Sequence, residues 1–498
     1  MSAENKYILG ISAFFHDSSA CLLKNGKIIA AAQEERFTRI KFDASFPINS
    51  INFCLKYENI TIDQVDTISY FEDAHLKFDR IFKTYLYLLP FSFKALLMSM
   101  YVWVKHKLLV EYKIKYLLNF KKNFVFYEHH YSHASSAFFP SPFLNSAILI
   151  LDAVGEWDCT SIGFGKNNKI EIIKTIEYPN SLGMIYSAFT EFSGFKVNSG
   201  EYKLMGLAPY GKPKYKDIIL NNLISINKDG SHKLNLKYFN FHKGFSTINT
   251  KFEKLFNSTK RKANQPIRKI DEDMASSIQE VFNDILIKLA IHTKEITKSN
   301  NLVLAGGVAL NCVSVGKISN EKIFENIWVQ PAAGDAGTSI GAALAENYKH
   351  KSREENDIVK FNPFLGPSFT DSEIKDILNN KKINYQYYKN NDDLVDELCK
   401  NLMNDMIIGL FQGRMEFGPR ALGSRSIIAD PRSENMQKKL NQKIKYRESF
   451  RPFAPAILKD YYKEHFNLEN ESPFMSIVAK IKHSIDFKDT NSQSIYKK

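Results

Sequence analysis

Two histidines stand four residues apart, at His129 and His133, in the segment EHHYSHASSAF. On a helix this spacing places both imidazoles on one face, where they can hold one divalent metal ion. Two aspartates extend the set: Asp152 ends the run ILILD, and Asp335 precedes a glycine-rich helix start in PAAGDAG. Such a mixed set suits iron or zinc, with open positions for a Lewis acid acting on a carbonyl or phosphate. Alternatively, the histidine pair is structural and the aspartates cap helices or turns.

A second group of chemistry-bearing residues lies in GLFQGRMEFGPRALGSRSIIADPR and LNQKIKYRESFRPFAPAIL. The arginine density there exceeds what a solvated surface requires. Planar guanidinium groups bind phosphate oxygens in pairs, and a lysine with an arginine two residues on can share one phosphate group. The pattern predicts a nucleotide and phosphate pocket, whose candidate residues are Arg414, Arg420, Arg425, Lys445, Arg447 and Arg451.

Two segments with the same strand pattern would position these residues. Residues 7–33 predict a strand, a polar loop, a strand, a hairpin turn at Asn25-Gly26 and a third strand. Residues 146–178 repeat this order, with a polar loop at 155–158. The repetition indicates internal duplication, with backbone amides of each loop facing a phosphate or a metal between the halves. Actin-like ATPase folds place their phosphate loops in this way.

The remaining segments predict a domain division. A helix from near Met274 through Ile296 precedes a strand at 301–305, and Gly306-Gly307 then permits close approach of the backbone to a ligand. Residues 342–361 become polar and charged, so we expect one domain at 1–345 and a second at 361–498. Residues 227–269, rich in lysine and asparagine and weakly periodic, predict a surface insertion.

The composition is that of a folded protein of two or three domains, with 498 residues of which 44% are hydrophobic. The formal charge of +13 suits anionic ligands, but the lysines are spread along the chain, which favours solvated surface over nucleic-acid binding. Five widely separated cysteines predict neither a zinc site nor a disulfide framework. With no signal-peptide pattern after MSAENK, we expect a cytoplasmic protein.

An apolar stretch from Tyr85 to Val104 is about long enough to cross a bilayer and carries only Lys94 as a charge. Pro90 and two serines weaken that interpretation. Basic residues flank the stretch, which is also typical of a surface-lying amphipathic helix. In order of preference, the sequence predicts buried or capping helices, peripheral membrane contact by residues 80–107, and a spanning helix.

Six segments resemble, in order and over nearly the whole chain, the blocks of the carbamoyltransferase family of nodulation-protein and antibiotic-tailoring type. They are GISAFFHDSSACLL, AAAQEERFTR, EHHYSHASSAFFPSPF, SGEYKLMGLAPYG, LAGGVALNC and PAAGDAGTSIGAAL. The resemblance implies an α/β chain with a duplicated actin-like (ASKHA-type) domain, similar to the universal tRNA threonylcarbamoyl-transferase component. A smaller α/β domain, similar to carbamoyl-adenylate synthases, would follow, with Lys445 and Arg447 as its K-x-R signature.

The same resemblance implies roles for single residues of the first domain. The positions that match the family's iron ligands are His129, His133, Asp152 and Asp335. His16 becomes a candidate for removing the proton of an acceptor hydroxyl, a task that suits a near-neutral imidazole. A loop histidine that only hydrogen-bonds the backbone is the alternative.

Two further blocks would meet the nucleotide or the substrate. Gly306, Gly307 and Asn311 match the loop that cradles the adenylate in the family. Glu201 and Lys203 are candidate catalytic residues, placed to meet substrate or nucleotide, and the alternative is that the two form a salt bridge.

The family pattern breaks off after FRPFAPAIL, because neither the His-Val-Asp-Gly-type motif nor the Asn-Thr-Ser-Phe-Asn motif follows. We therefore expect a synthase domain truncated at its C-terminus. The predicted function is an O-carbamoyltransferase that uses carbamoyl phosphate, ATP with Mg²⁺, and Fe(II) or another divalent metal. Through a carbamoyl-adenylate it would modify a hydroxyl of a sugar or glycosylated small molecule.

Two other functions stay open at this point: a truncated, non-catalytic nucleotide-binding or assembly subunit, and an actin-like ATPase or sugar kinase. No nucleic-acid partner is expected, and a homodimer stays open.

Overall fold

The described residues form two five-stranded mixed sheets. The computed structural model describes residues 5–482, apart from 245, 350, 356, 357 and 359. The strands of the first sheet are β1 (Tyr7–Ser12), β2 (Ser19–Lys24), β3 (Lys27–Gln33), β4 (Thr67–Tyr70) and β5 (Asn123–Phe126). Those of the second are β6 (Asn145–Leu151), β7 (Asp158–Lys166), β8 (Lys169–Glu177), β11 (Asn301–Ala305) and β12 (Asn326–Val329). Two hairpins lie outside these sheets, β9 (Ile224–Ile226) with β10 (His232–Leu234) and β13 (Ile408–Phe411) with β14 (Arg425–Ile428).

Both large sheets have the same topology. The first has the order β3-β2-β1-β4-β5 and the second, read from its other edge, β8-β7-β6-β11-β12. In each, three consecutive strands pair antiparallel, and two later strands add in parallel beside the first. The predicted α/β class and the internal duplication of an actin-like domain are confirmed. The predicted hairpin turn is also present, with Asn25 and Gly26 both at positive φ.

The helices complete the two halves. They are α1 (Glu35–Thr38), α2 (Ile48–Glu58), α3 (Ala74–Tyr87), α4 (Phe93–Val102), α5 (Val110–Leu118), α6 (His129–Phe138), α7 (Leu182–Phe192), α8 (Glu201–Leu207), α9 (Lys216–Asn222), α10 (Thr250–Leu255), α11 (Lys269–Thr297), α12 (Cys312–Asn320), α13 (Thr338–Tyr348), α14 (Asp371–Asn380), α15 (Asn391–Met403), α16 (Met436–Lys439) and α17 (Tyr462–His465). The α11 helix starts five residues before the predicted Met274, because the Asp271 carboxylate accepts the backbone N–H of Arg268 and closes its first turn.

Helices α6 and α13 lie between the two sheets. Their buried side chains, among them Phe138 and Ile340, share one core with Ile8 of β1 and Ile148 of β6. Because β1 and β6 are covered on both faces, they are almost entirely apolar, as strands inside α/β layers are. The elements that carry the candidate ligands are therefore held in the most buried layer of the molecule.

Residues 227–269 differ from the predicted surface insertion. Phe239, Phe241, Phe252 and Phe256 of this segment are buried against the second half of the duplicated domain. Their spacing follows neither a helical nor a strand period, so the sequence pattern did not reveal them. The segment is part of the core.

The second predicted domain adds α14, α15, the β13–β14 hairpin and short helical turns, and its residues after 482 lie outside the described part. Arg414 joins it to the first sheet, since its guanidinium donates to backbone carbonyls including that of Ile29 (3.0 Å) and stacks on Tyr57. Among the described residues, no helix is long and apolar enough to cross a membrane. The proposed division near residues 345–361 stays a prediction.

The contact between α13 and α6 yields the first testable prediction. A Cβ atom at Gly341 would overlap with the backbone carbonyl of Ser132 on α6. We expect Gly341→Ala to lower the free energy of unfolding by at least about 2 kcal/mol, because the two helices must separate. Urea denaturation measures the change. Gly409→Ala is the control, since nothing lies within 4 Å of the added atom, and equal destabilisation by both variants would contradict this packing.

Candidate functional site

Four predicted metal ligands converge from three elements. His129 is the first residue of α6 and His133 lies one turn further on the same face. Asp152 directly follows β6, and Asp335 opens the short helical turn that leads into α13. All four are buried. Because α6 and α13 pack between the sheets, residues more than two hundred positions apart in the chain share one site.

The ligand atoms face one another at coordination spacing. The Nε2 atoms of the two histidines are 3.1 Å apart, and His129 Nε2 lies 3.2 Å from Asp152 Oδ2. Asp335 Oδ1 lies 3.7 Å from His129 Nε2 and 3.6 Å from His133 Nε2. One such atom from each residue fits within 4.8 Å. Ligand bonds of about 2.1 Å place neighbouring ligands roughly 3.0–3.4 Å apart. The distances among His129, His133 and Asp152 given above lie in that range, and those of Asp335 are a few tenths of an ångström longer, so a small shift of Asp335 would let all four hold one ion.

The charges of this cluster are strongly coupled. Burial opposes ionisation of both aspartates, but the adjacent imidazoles outweigh it, holding the pKa of Asp152 well below its usual range and lowering that of Asp335 to about 2. Burial likewise disfavours charge on His129, and the carboxylates nevertheless raise its pKa to about 9. Two buried carboxylates therefore stay ionised and require positive charge between them. A divalent ion would supply that charge.

Glu156 orients the helix that carries both histidines. Its two carboxylate oxygens each accept the backbone N–H of His129 at 3.0 Å, and Oε1 also accepts that of Asp73 at 2.7 Å. The first turn of a helix leaves such N–H groups without intrahelical partners, so a buried carboxylate stabilises it. Phe71 packs edge-on against the His129 ring, with centroids 5.5 Å apart. These contacts fix the direction of the imidazole.

His130 does not belong to the cluster. Its Nδ1 lies 2.6 Å from the hydroxyl of Ser161 on β7. Burial lowers the pKa of His130 to about 3, so it stays neutral. Through its contact with Ser161, the neutral His130 side chain packs α6 against the second sheet.

His16 lies at the more open side of the cluster. Its Nε2 is 3.5 Å from Asp335 Oδ2 and its Nδ1 is 3.0 Å from Asp17 Oδ2, while the side chain is 26% exposed. Burial disfavours its charged form, but the carboxylates of Asp335 and Asp17 raise its pKa to about 9. Both of these His16 contacts are to carboxylate side chains. The structure therefore differs from the alternative in which His16 only hydrogen-bonds the backbone.

The predicted glycine loop touches the cluster directly. Gly306 has φ +93°, and a Cβ there would overlap the Leu151 carbonyl, so only glycine fits without strain. The next N–H, of Gly307, donates to Asp152 Oδ1 at 3.0 Å. Asn311 accepts from Ser314 N–H at the start of α12 and exchanges hydrogen bonds with Gln279. The loop thus joins the cluster to a rigid helix start.

The predicted arginines and lysine fall into groups that differ in what their side chains contact. Arg420 reaches the glycine loop, with Nη2 3.3 Å from the Leu310 carbonyl. Arg425 instead donates to the carbonyls of residues including Gln412 and Gly413 and stacks on Phe411, and Arg414 makes the backbone contacts described above. Arg414 and Arg425 thus hold the fold of the second region.

Three of the predicted cations gather around Tyr202 of α8. Arg451 stacks over the Tyr202 ring at 4.3 Å, and Lys41 donates to its hydroxyl at 3.2 Å. Burial and the charges of Arg447 and Lys41 lower the pKa of Lys445. Burial and the Arg451 charge likewise lower the pKa of Arg447. These cations are partly compensated within the protein, since Arg451 lies 3.6 Å from Glu448 and Arg447 donates to Asn441 at 2.7 Å. Lys41 was not predicted from the sequence.

Glu201 and Lys203 do not form the salt bridge considered above. Glu201 accepts from the Ser187 hydroxyl at 2.7 Å and from backbone N–H groups at the start of α8. Lys203 pairs with Glu448 at 2.6 Å, across the two predicted domains. A cavity of about 540 Å³ lies beside this pair, with Arg261 and Phe450 among its lining residues. Its volume is in the range of small-molecule sites.

Sequence reasoning missed three cations on the other side of the cluster. Lys77 pairs with Glu72 in the interior, and Lys107 lies over Trp103. Arg80 is 8% exposed and stacks on a tyrosine ring, but its guanidinium group makes no hydrogen bond or ion pair within the described residues. The i, i+3 spacing of Lys77 and Arg80 places them on one helix face, and that signal was available. The spacing does not show whether these side chains are buried, because that depends on which elements pack against the helix.

Two sequence models match this chain over most of its length. The Carbamoyltransferase N-terminus model matches residues 7–344, and the Carbamoyltransferase C-terminus model matches residues 399–493. The chain belongs to the carbamoyltransferase family. The first match contains the whole histidine and aspartate cluster together with Lys41 and Tyr202, and the second contains Lys445, Arg447 and Arg451.

Relatives support the same assignment over nearly the full chain. An uncharacterised Synechocystis protein, sll1178, is 46% identical over 492 residues, which cover 96% of this chain and 80% of that protein. Nodulation protein NolNO of Sinorhizobium fredii is 32% identical over 483 residues, which cover 95% of this carbamoyltransferase-family chain and 67% of NolNO. The solved HypF structure of T. kodakarensis aligns with 71% of this chain and 49% of its own, at 13% identity and a TM-score of 0.33.

The cluster geometry predicts tight metal binding that depends on His133. We expect His133→Ala to weaken the affinity for Fe(II) or Zn(II) by at least about a hundredfold, because one of four ligands is lost. Metal analysis after dialysis and competition with a chelator measure it. His130→Gln is the matched control on the same helix and should keep the metal. If His133→Ala retained the full affinity, the cluster would not be a metal site.

Proposed function

We propose that this protein is an O-carbamoyltransferase that activates a carbamoyl group as an adenylate and transfers it to a hydroxyl of a sugar or glycosylated small molecule. The observation that carries the proposal is the direct contact between the buried His129, His133, Asp152 and Asp335 cluster and the glycine loop at Gly306-Gly307. Family membership supports the reaction class. The contact places a candidate metal site beside a loop suited to a nucleotide.

The first step would make the adenylate. Hydrolysis of carbamoyl phosphate releases phosphate and carbamate, and a carbamate oxygen attacks the α-phosphorus of ATP, with loss of pyrophosphate. Lys445, Arg447 and Arg451 supply positive charge for the phosphates, and Mg²⁺ accompanies the ATP. Such fixed cations stabilise charge that develops on the phosphoryl oxygens. The clustering of these side chains with Lys41 around Tyr202 supports this assignment.

The second step would transfer the carbamoyl group. The acceptor oxygen bonds to the carbamoyl carbon, and the bond from that carbon to the AMP oxygen breaks. His16 lies at the open side of the cluster, and a divalent ion held by Asp335 would offset the carboxylate charge that raises the pKa of His16, so that its neutral imidazole could take the proton of the acceptor hydroxyl. Fe(II) or another divalent ion held by the two histidines and two aspartates would supply a Lewis acid for an oxygen of the adenylate.

The remaining residues act by binding and orientation. The Gly306 to Asn311 loop approaches the cluster closely enough to cradle the AMP group, because neither glycine carries a side chain. Glu201 and Lys203 hold α8 and the second region in place through their own hydrogen bonds and ion pair. We assign them positioning roles. The cytoplasmic location and the homodimer stay predictions.

The adenylation step gives a prediction that needs no acceptor. Protein incubated with ATP, carbamoyl phosphate, Mg²⁺ and Fe(II) should release pyrophosphate and form carbamoyl-adenylate, measured by mass spectrometry. We expect Arg447→Ala to lower the rate by at least about a hundredfold, because it removes a fixed charge at the phosphates. Arg432→Ala is the matched control, since the Arg432 side chain is 76% exposed and pairs with Asp430.

The outcomes separate the candidate functions. No adenylate from the unsubstituted protein would favour the non-catalytic nucleotide-binding or assembly subunit. A phosphorylated hydroxyl compound would favour the kinase. Adenylate formation that Arg447→Ala leaves unchanged would contradict the phosphate site around Tyr202.

A further inference from the structure

Helices α3, α4 and α5 carry a large exposed apolar surface beside the first sheet. We name it the outer face. Its exposed members are Leu86, Tyr87, Leu89, Phe91, Phe93, Leu97, Met98, Tyr101, Val102, Val104, Leu109, Tyr112, Tyr116 and Leu117. Tyr87 is 90% exposed and Phe91 is 82% exposed. Contiguous apolar surface of this kind marks an interaction site in a folded protein.

The opposite side of the same helices is already used for folding. Ala95, Trp103, Val110, Ile114 and Leu118 are buried, and most of them belong to the core of the first half. The helices are therefore apolar on both sides: one side seats them on the domain, and the other side faces outwards. Packing of the domain accounts for the buried apolar side of these helices but not for the exposed apolar side.

The charge around the outer face is mainly positive. Residues 74–118, which span α3 to α5, contain seven lysines and one arginine against two acidic residues, Asp79 and Glu111. Lys77 and Arg80 are buried, and Asp79 pairs with Lys83 at 2.8 Å. Glu111 is paired with Lys115 at 2.8 Å. Lys94 and Lys105 are exposed within the apolar surface, and Lys105 reaches the Tyr101 hydroxyl at 3.0 Å. Aromatic and aliphatic side chains mixed with lysines are typical of helices that lie in a membrane interface.

We propose that the outer face docks onto an anionic lipid bilayer, with α4 and α5 lying in the interface. A lipid surface offers both complements at once, because it buries apolar side chains in its hydrocarbon border and neutralises lysines with its headgroups. A second copy of this chain would bring the same lysines face to face and lacks that complementarity. Among the described residues, no helix is both long and apolar enough to span a bilayer, and the proposed docking is peripheral.

Helix α3, which carries the first residues of the outer face, begins beside the candidate site. The backbone N–H of Asp73, just before α3, donates to Glu156, the same carboxylate that accepts from His129. Further along α3, the Lys77 ammonium lies over the Phe15 ring at 4.7 Å, and Phe15 neighbours His16. If docking is combined with the proposed function, on which this step rests, it would bring the carbamoyl-transfer site close to a membrane surface.

Vesicle binding tests the docking. The full chain should sediment with vesicles that contain phosphatidylglycerol and much less with phosphatidylcholine alone, and added salt should weaken the binding. Phe91→Ser with Tyr101→Ser should lower the partition coefficient at least about tenfold. Lys94→Gln with Lys105→Gln should lower it roughly tenfold on the anionic vesicles. All four side chains are exposed, so thermal unfolding should change little.

Tyr387→Ser with Met403→Ser is the matched control, because it removes two exposed apolar side chains from the second region. Equal loss in the control, or no binding of the unsubstituted chain, would overturn the docking. Concentration-dependent dimers abolished by Phe91→Ser with Tyr101→Ser, without vesicle binding, would assign the face to a second copy. Carbamoyl-adenylate formation in solution should be the same in all variants, which separates this proposal from the proposed function.

Discussion

The close contact between α6 and α13, in the layer between the two sheets, is the constraint on which the site depends. Gly341 allows the α13 backbone to lie against Ser132 of α6, and Gly10 allows the same helix to lie against β1. His129 and His133 belong to one of these helices, and Asp335 opens the other. Because a packed interior deforms little, the spacing of the ligand atoms is set by this backbone contact. The site is thus built from the core outwards.

Charge burial explains why the cluster needs so much support. Two carboxylates that stay ionised away from water would destabilise the fold unless positive charge and hydrogen bonds compensate them. Asp152 receives the N–H of Gly307, and Glu156 stabilises the helix start that carries His129. The glycine loop therefore supports the cluster in addition to the nucleotide-binding role proposed for it. This double use couples the two parts of the proposed reaction.

The arginines show how one residue type divides between architecture and chemistry. Arg414 and Arg425 donate to backbone carbonyls and stack on aromatic rings, so their charge is already used inside the protein. Arg447 lies beside Arg451, where burial and then the Arg451 charge lower the pKa of Arg447, and an anion would offset this cost. The two arginine-rich segments differ in this respect by degree, because Arg447 also donates to Asn441 at 2.7 Å and Arg451 lies 3.6 Å from Glu448.

The sequence by itself determined the local features: the duplicated strand pattern, the Asn25-Gly26 turn, and the two histidines on one helix face. These depend on periodicity and turn chemistry within a few residues, which a sequence displays directly. Only the tertiary structure brought Asp335 to His133, buried Phe252 in the core, and left one side of α4 and α5 exposed. Such facts depend on contacts between distant segments, and a local pattern carries no information about which apolar side of a helix another element will cover.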